Sequence, residues 1–303
     1  MTDTVALFRV FIRVVEAGSF SRVAAEQNSS QPTISRQIAT LEDHLGTRLF
    51  ARTTRKLTLT DDGRGFYDRA RLALEAVAEA EGAVGRRRAR PSGTLQLALP
   101  VVFGRLRVIP HLKGFLARYP DVKLDLVMSD GFSDLVEDGL DLAIRSGNVT
   151  DPSLIARKIG VTRRVLVAAP SYLHGRTPPA HPGDLVDHDC LAYTRFTAGT
   201  TWRFEGPDGP IEIEAKGPVQ SQSSEGLREA VLSGLGIGFL PVWHLTDEIQ
   251  SGRAVVLLPA FEPKPVPISA VYPSRRYVPQ KTRVMIDYLQ TQFAMDPALN
   301  PQP

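Results

Sequence analysis

Apolar residues recur at helical spacing through the first 46 residues and divide this part of the chain into three segments. Between residues 5 and 15 they stand three or four apart, and the chain then reaches Gly18, a residue type that commonly ends helices. A second, shorter segment runs from Ser19 to Asn28, and a third from Ser30 to Gly46. Serine is a preferred first residue of a helix and asparagine tolerates the left-handed backbone that ends one. The pattern predicts three helices with a tight break before the third, which is a helix-turn-helix.

The third helix separates apolar from polar residues. Ile34, Ile38 and Leu41 step along one face, followed by Leu45, while polar residues point outward near the N-terminus. These outward residues are Gln31, Thr33, Ser35, Arg36 and Gln37. A recognition helix presents this end to base edges in the major groove, where Arg pairs with guanine and Gln with adenine. A solvated polar face is the alternative interpretation.

A basic segment follows, RLFARTTRKLTLT over residues 48–60. Leu57 and Leu59 alternate with threonines, as in a short strand. Four basic residues and no acid stand within nine positions: Arg48, Arg52, Arg55 and Lys56. The segment predicts a β-hairpin wing whose basic tip can follow phosphates or enter the minor groove, with a solvated charge cluster as the alternative.

A longer helix is predicted from Asp61 to about Arg88. Its apolar positions are spaced 4, 3, 4, 3 and 4, an average close to the 3.5-residue repeat of a coiled coil. These dimerisation positions are Phe66, Ala70, Ala73, Val77, Ala80 and Val84. Packing of this seam against its own domain is the alternative. The basic, proline- and glycine-containing residues 86–93 mark the end of the linker.

From Thr94 onward, strand-like and helix-like segments alternate, which predicts βαβ units, mainly parallel sheets and an α/β fold. The segments form two sets, so we expect two lobes. The domain prediction is a winged helix-turn-helix over 1–60, a linker helix over 61–90 and a two-lobed α/β domain over 91–303. Lobe 1 covers about 91–164 and 268–294, and lobe 2 about 165–267. The proline-rich end, residues 295–303, is expected to be disordered.

Composition and charge narrow the class of protein. A chain of 303 residues fits about two domains, and 43% hydrophobic with 23% charged residues excludes disorder as the main state. Arg9 and Arg13 interrupt the apolar N-terminal segment, so we expect neither a membrane helix nor a signal peptide. The single cysteine, Cys190, allows no intramolecular disulfide and favours a cytoplasmic protein.

The positive charge lies at one end of the chain. Residues 1–90 hold 15 basic and 11 acidic side chains, a net +4, whereas the whole chain carries +3. A basic module attached to a nearly neutral one is typical of a nucleic-acid-binding domain joined to a domain of another function.

Residues 19–63, SFSRVAAEQNSSQPTISRQIATLEDHLGTRLFARTTRKLTLTDDG, resemble the winged helix-turn-helix of LysR-type transcriptional regulators. The resemblance implies DNA contacts by residues of the third helix and the wing, and dimerisation through the long helix. Taken with the residue chemistry above, the predicted DNA-binding residues are Gln31, Pro32, Thr33, Ser35, Arg36, Arg52, Arg55 and Lys56.

The remainder resembles the effector-binding domain of the same family, in the segments GTLQLALPVVFGR, FLARYPDVKLDL, DLVEDGLDLAIRSG, APSYL and GLGIGFLP. This implies a two-lobed, periplasmic-binding-protein-like (type 2) fold that binds a small-molecule effector between its lobes. It also implies double-stranded promoter DNA, RNA polymerase and a homodimer or homotetramer as partners.

The predicted effector site lies where strand ends and helix N-termini meet. Its residues are Pro100, Val101, Val102, Phe103, Phe132, Ser146, Gly147, Trp202, Ser223 and Ser224. Many relatives hold a carboxylate with Ser or Thr after the first strand of this domain, whereas this chain has Pro100 and Val101 there. An apolar or aromatic effector, or none, is therefore favoured. If an acidic effector binds at all, it is expected at the N-terminus of the helix that begins near Ser224. Ordinary loop or core packing is the alternative for each residue.

Two other sequence patterns resemble cofactor or metal sites but do not predict one. Gly234, Gly236 and Gly238 follow a helix and precede a strand, the reverse of a dinucleotide-binding turn. The cluster around His181, His188 and Cys190 lacks zinc-ligand spacing, so we predict no metal and no cofactor. An enzyme and a solute-binding transport component are rival classes, but neither explains residues 1–90. The predicted function is a sequence-specific DNA-binding transcriptional regulator, not an enzyme, whose promoter output responds to a small molecule.

Overall fold

The computed structural model describes residues 3–51, 57–84, 90–131, 134–135, 137–195, 200–273 and 278–301. The chain forms two compact units. The first consists mainly of residues 1–93, and the second of residues 94–135, 140–274 and 284–303. None of the helices in the described ranges has the length and apolar character needed to cross a bilayer.

The first unit contains the three predicted helices, a two-stranded hairpin and a long helix. Their bounds are α1 Thr4–Ala17, α2 Phe20–Glu26, α3 Gln31–Leu45, β1 Phe50–Ala51, β2 Thr58–Leu59 and α4 Asp61–Val84. Ser19 and Ser30 cap α2 and α3 through their hydroxyl groups, and Gly18 and Gly46 take positive φ values of 64° and 71° after α1 and α3. These helix ends confirm the predicted helix-turn-helix.

The core of this unit contradicts part of the predicted coiled-coil seam. Phe66 of α4 packs on Phe8 and Phe11, with ring centroids 5.1 and 5.2 Å apart, and Ala70 is buried in the same cluster. The first turns of α4 cover α1, so these two positions serve their own domain. Farther along, Ala73 and Val77 are half-buried and Ala80 is exposed, while the side chain of Val84 lies outside the described part of the chain.

The second unit contains two five-stranded sheets and their surrounding helices. Its strands are β3 Gly93–Leu99, β4 Val122–Met128, β5 Leu142–Ser146, β6 Leu154–Thr162, β7 Arg164–Ala168, β8 Cys190–Tyr193, β9 Thr201–Gly206, β10 Gly209–Glu214, β11 Gln220–Ser221, β12 Ile237–Pro241, β13 Val255–Leu257 and β14 Val266–Pro273. Its helices are α5 Val101–Phe103, α6 Ile109–Arg118, α7 Pro170–Leu173, α8 Ser224–Leu232, α9 Thr246–Gln250 and α10 Gln280–Ala294. A π-helical turn, Gly104–Val108, joins α5 to α6.

The sheets define two lobes. Lobe 1 has the strand order β4-β3-β5-β14-β6, and lobe 2 has β11-β8-β12-β7-β13 with the β9–β10 hairpin beside it. The chain crosses from β6 into β7 through Arg163 alone and returns at β14.

The expected mainly parallel sheets each contain one reversed strand. Strand β3 is parallel to β5, and β8 is parallel to β11 and β12, but β14 is antiparallel to β5 and β6, and β7 is antiparallel to β12 and β13. The reversed strands are the two that carry the chain from one lobe to the other. They start at the boundary between the lobes, whereas the neighbours β5, β6 and β12 end there, so their directions oppose.

The predicted disorder after residue 294 is also wrong for residues 295–301. Leu299 is fully buried, and its carbonyl accepts a hydrogen bond from the Val161 N–H at 2.8 Å. Asp296 pairs with Arg107 at 3.0 Å and accepts from the Ala298 N–H at 2.9 Å. The buried side chains of Ala298 and Leu299, together with these polar contacts, outweigh the influence of the prolines.

Candidate functional site

The exposed end of α3 is one functional surface. Gln31, Pro32, Thr33, Ser35 and Arg36 are all exposed. On the opposite face, Ile34, Ile38 and Leu41 are buried in the core of the first unit. The helix is therefore held from one side and offers hydrogen-bonding side chains on the other. Gln37 differs from its expected outward position, because it is half-buried and its Oε1 atom is enclosed.

The predicted wing is present as the pairing of β1 with β2. Phe50 stands opposite Leu59, and Ala51 opposite Thr58, in antiparallel register. The predicted contacts Arg52, Arg55 and Lys56 lie between these strands, outside the described residues. In the sequence, this basic segment follows α3 closely, with β1 before it and β2 after it.

A buried carboxylate, missed by the sequence analysis, joins α3 to the wing. Oε1 of Glu42 accepts from the backbone N–H groups of Leu49 and Phe50 at 2.8 and 3.2 Å, and Oε2 accepts from Arg48 at 2.6 Å. Glu42 is only 8% exposed, whereas Leu45, placed on the predicted apolar face, is 36% exposed. The signal in the sequence was the position of Glu42 four residues after Ile38, on the buried face.

A second functional surface is a cavity of about 300 Å³ between the two lobes of the second unit. It lies where β3, β5, β6 and β12 end and where α8 begins. Five of the predicted effector residues line it: Pro100, Val102, Phe103, Ser146 and Ser224. Its wall is mixed, with aromatic rings from both lobes and several charged side chains.

The other predicted effector residues lie elsewhere. Trp202 is buried in the core of lobe 2, 5.6 Å from Phe239 between ring centroids, so its expected place opposite lobe 1 is wrong. Val101 is 40% exposed, and its N–H donates to Asp130 at 2.9 Å. Neither Gly147 nor Ser223 lines the cavity, although each adjoins a residue that does. Phe132 is outside the described residues.

Most of the polar wall was not predicted from the sequence. The additional polar residues lining the cavity are Ser129, Asp130, Arg145, Thr162, Arg164, Tyr193 and His244. Arg164 stands at the start of β7 and Thr162 at the end of β6, so alternation along an extended chain turns both toward the cavity. The signal was the pair Arg163-Arg164 beside an otherwise apolar strand.

Beside the cavity, Glu225 in the first turn of α8 binds two partners. Its Oε1 accepts from Arg105 at 2.9 Å, and its Oε2 lies 3.0 Å from Nε2 of His244. Burial lowers the pKa of His244 despite this carboxylate. For Glu225 burial acts in the opposite sense, but the hydrogen bond to His244 and the neighbouring positive charges lower its pKa on balance.

Residues of the discounted histidine and cysteine cluster have structural roles. Nδ1 of His181 accepts from the Gly183 N–H at 3.0 Å, and the Tyr172 hydroxyl lies 3.3 Å from His188. Burial raises the pKa of the Cys190 thiol to about 11. Among the described residues, no group of three or more His, Cys, Asp or Glu could hold a metal ion.

A helix-turn-helix with an exposed polar helix end, followed by a two-lobed domain with a central cavity, defines a ligand-responsive DNA-binding regulator. Residues 5–64 match the family described as "Bacterial regulatory helix-turn-helix protein, lysR family", and residues 88–294 match "LysR substrate binding domain". The chain belongs to the LysR family of bacterial transcriptional regulators, and the predicted family, fold class and regulatory function are confirmed.

Two relatives illustrate the extent of the similarity. The chain is 33% identical to the HTH-type transcriptional regulator PtxR of Pseudomonas aeruginosa, over 95% of this chain and 92% of the relative. It is 34% identical to the HTH-type transcriptional regulator DmlR of Escherichia coli, over 94% and 93% of the two chains.

Solved structures of full-length regulators show the same fold. CrgA of Neisseria meningitidis is similar with a TM-score of 0.62 and 33% identity, over 95% of this chain and 98% of that chain. AphB of Vibrio cholerae is similar with a TM-score of 0.59 and 31% identity, over 94% and 97% of the two chains.

Proposed function

We propose that this regulator binds its promoter through the exposed end of α3 and the wing. The supporting observation is the division of α3 into a buried apolar face and an exposed polar end. Gln31, Thr33, Ser35 and Arg36 supply the donors and acceptors that read base edges, and Pro32 fixes the first turn of the helix. The arginines and lysine of the wing, Arg52, Arg55 and Lys56, supply positive charge for the DNA backbone or the minor groove.

Two copies of α4 form the contact between subunits in this proposal. With Phe66 and Ala70 used inside the domain, the seam consists of Ala73, Val77, Ala80 and Val84. Their small side chains allow two helices to approach closely. A dimer or tetramer bound at a promoter can contact RNA polymerase. Because the chromosome of a bacterium lies in the cytoplasm, the regulator works there.

The effector enters the cavity between the lobes and changes the output of the promoter. Aromatic and aliphatic groups, including Phe103, Val102 and Pro100, offer apolar contacts, and Ser146 and Ser224 offer hydroxyl groups on opposite sides. This mixture of an apolar wall with a few polar groups is typical of small-molecule sites.

Electrophoretic mobility shifts test the DNA-binding proposal. We expect the protein to bind the DNA upstream of its own gene at least about tenfold more tightly than a scrambled duplex of equal length. The Arg36→Ala variant should lose most of this difference while its circular dichroism spectrum stays unchanged. Thr40→Ala, farther along the same helix, is the matched control. If the wild type binds both duplexes with equal affinity, the proposal that it recognises the sequence of this promoter is contradicted.

A further inference from the structure

The crossing from lobe 1 to lobe 2 places two adjacent arginines in different surroundings. Arg163 is exposed and pairs with Glu262 at 2.8 Å. Arg164 is half-buried and lines the cavity between the lobes. Its backbone pairs with Pro241 at the end of β12, so the sheet of lobe 2 fixes where its side chain begins.

The Arg164 guanidinium contacts the protein through Phe239. Nη2 donates to the Phe239 carbonyl at 3.1 Å, and the guanidinium carbon lies 4.5 Å from the centre of the Phe239 ring. Among the described residues no carboxylate lies within ion-pair distance of Arg164. A guanidinium has five N–H donors, and one backbone carbonyl with one ring face satisfies few of them.

This side chain keeps its charge at a cost. Burial lowers the pKa of Arg164 from its ordinary value, yet arginine remains protonated in proteins. A cation that is partly removed from water and has no carboxylate partner is unfavourable, and an anion that enters the cavity relieves this cost. The cavity thus favours anions over neutral molecules of the same shape.

The remaining charges of the wall limit the charge of that anion. Two arginines and one aspartate line the cavity, Arg145, Arg164 and Asp130, and the lowered pKa of His244 leaves its imidazole neutral at pH 7. The net charge of +1 matches a single negative charge. The rings of Phe103, Phe239 and Trp243 line the same space, and a volume of about 300 Å³ is at the small end for ligand pockets.

We propose that the effector is a small monocarboxylate with an apolar or aromatic body, and that Arg164 binds its carboxylate. This inference rests on the proposed effector role of the cavity and names the ligand class and the anchoring residue. Arg164 replaces the contact that Pro100 and Val101 cannot provide after β3, because proline lacks an N–H group and valine lacks a hydroxyl. A guanidinium binds a carboxylate through two parallel hydrogen bonds, which fixes its orientation.

The N-terminus of α8 is a weaker anchor than Arg164. Ser223 already accepts from the Gly226 N–H at 3.2 Å, and the carboxylate of Glu225 occupies the first turn. A second negative charge at this helix end would be repelled by Glu225. Ser224 therefore contributes a hydroxyl group to the wall, and the carboxylate binds to Arg164 at the crossing.

Isothermal titration calorimetry of the full-length protein tests the proposal. The probes are benzoate, phenylacetate, cinnamate, hexanoate and cyclohexanecarboxylate, each compared with its neutral amide, and inorganic phosphate as an anion without an apolar body. Arg164→Met removes the charge and keeps an apolar chain, and Arg164→Lys keeps the charge without the paired donors. Arg163→Met is the matched control, since it removes the same charge one residue away.

We expect at least one acid to bind the wild type about tenfold or more tightly than its amide. Arg164→Met should remove this difference, Arg164→Lys should restore part of it, and Arg163→Met should keep it. If acid and amide bind every variant alike, if no acid in the panel binds the wild type, or if phosphate binds as tightly as the best acid, the proposal is overturned. Promoter binding, measured separately, reports on the proposed function and does not depend on these outcomes.

Discussion

Nη2 of Arg105 lies 2.9 Å from Oε1 of Glu225, so an ion pair joins lobe 1 to the first turn of α8 in lobe 2. The same carboxylate bonds to His244, which is fully buried. Both members of the ion pair are partly exposed, so the pair by itself contributes at most about 1 kcal/mol to stability. Its importance lies in connecting a buried imidazole in the cavity wall to a contact between the lobes.

The pKa of His244 predicts an acid-sensitive stability. Because the folded-state pKa lies below the ordinary value of 6.5, the unfolded chain binds more protons as the pH falls through and below that value. Stability contributed by this group is present above pH 6.5 and is lost toward lower pH, by at most about 1.4 kcal/mol per pH unit.

Chemical denaturation from pH 7.5 to 5.5 measures this effect. The His244→Gln variant should show a flatter loss of stability than the wild type over the same range. His44→Gln changes an exposed histidine and serves as the control. Identical slopes for the wild type and His244→Gln would show that another group causes any acid sensitivity.

The buried carboxylate of Glu42 is expected to stabilise the DNA-binding domain. Glu42→Ala leaves the buried N–H groups of Leu49 and Phe50 without their acceptor, which should cost about 2–4 kcal/mol. Arg48→Ala removes the exposed partner of the same carboxylate and should cost much less, because solvent screens an exposed charge. Urea unfolding of both variants, followed by far-ultraviolet circular dichroism, makes the comparison. Equal losses would mean that the ion pair, not the backbone contacts, holds the wing.

Replacing Gln31 by alanine is expected to weaken the preference for particular bases. If its amide binds a base edge, Gln31→Ala should reduce discrimination at one base pair by about 1–3 kcal/mol with the fold intact. Competition with operators changed one base pair at a time measures the discrimination. An unchanged preference at every position would exclude Gln31 as a base contact.

Two similar substitutions in the long helix α4 are expected to have different effects. Ala70 is 1% exposed inside the domain, so Ala70→Glu should destabilise the first unit by burying a charge. Ala80 is exposed, so Ala80→Glu should leave the fold intact and weaken the association of subunits. Thermal unfolding and sedimentation velocity separate the two effects. Unchanged sedimentation of Ala80→Glu at all concentrations would remove this position from the subunit contact.

The parts of this fold that the sequence predicts are those set by neighbours in the chain. Ser30, Gly46 and the spacing from Ile34 to Leu41 define α3 locally, because caps and an apolar face require no distant partner. Glu42 and Arg164 were missed because their surroundings come from segments that only the fold brings together. Trp202 was misplaced for a related reason, since an aromatic residue in a strand packs equally well in a core or a cavity wall until its facing sheet is known.

The buried end of the chain sets a practical limit on its engineering. Because Leu299 covers β6 and bonds to Val161, a protein shortened at Ala294 would expose the backbone of that edge strand together with an apolar recess. Unpaired strand edges promote association with other chains. Expression vectors should therefore keep the sequence through Pro301, and reporter fusions at this terminus need a flexible spacer so that the last turn can dock before the fused partner folds.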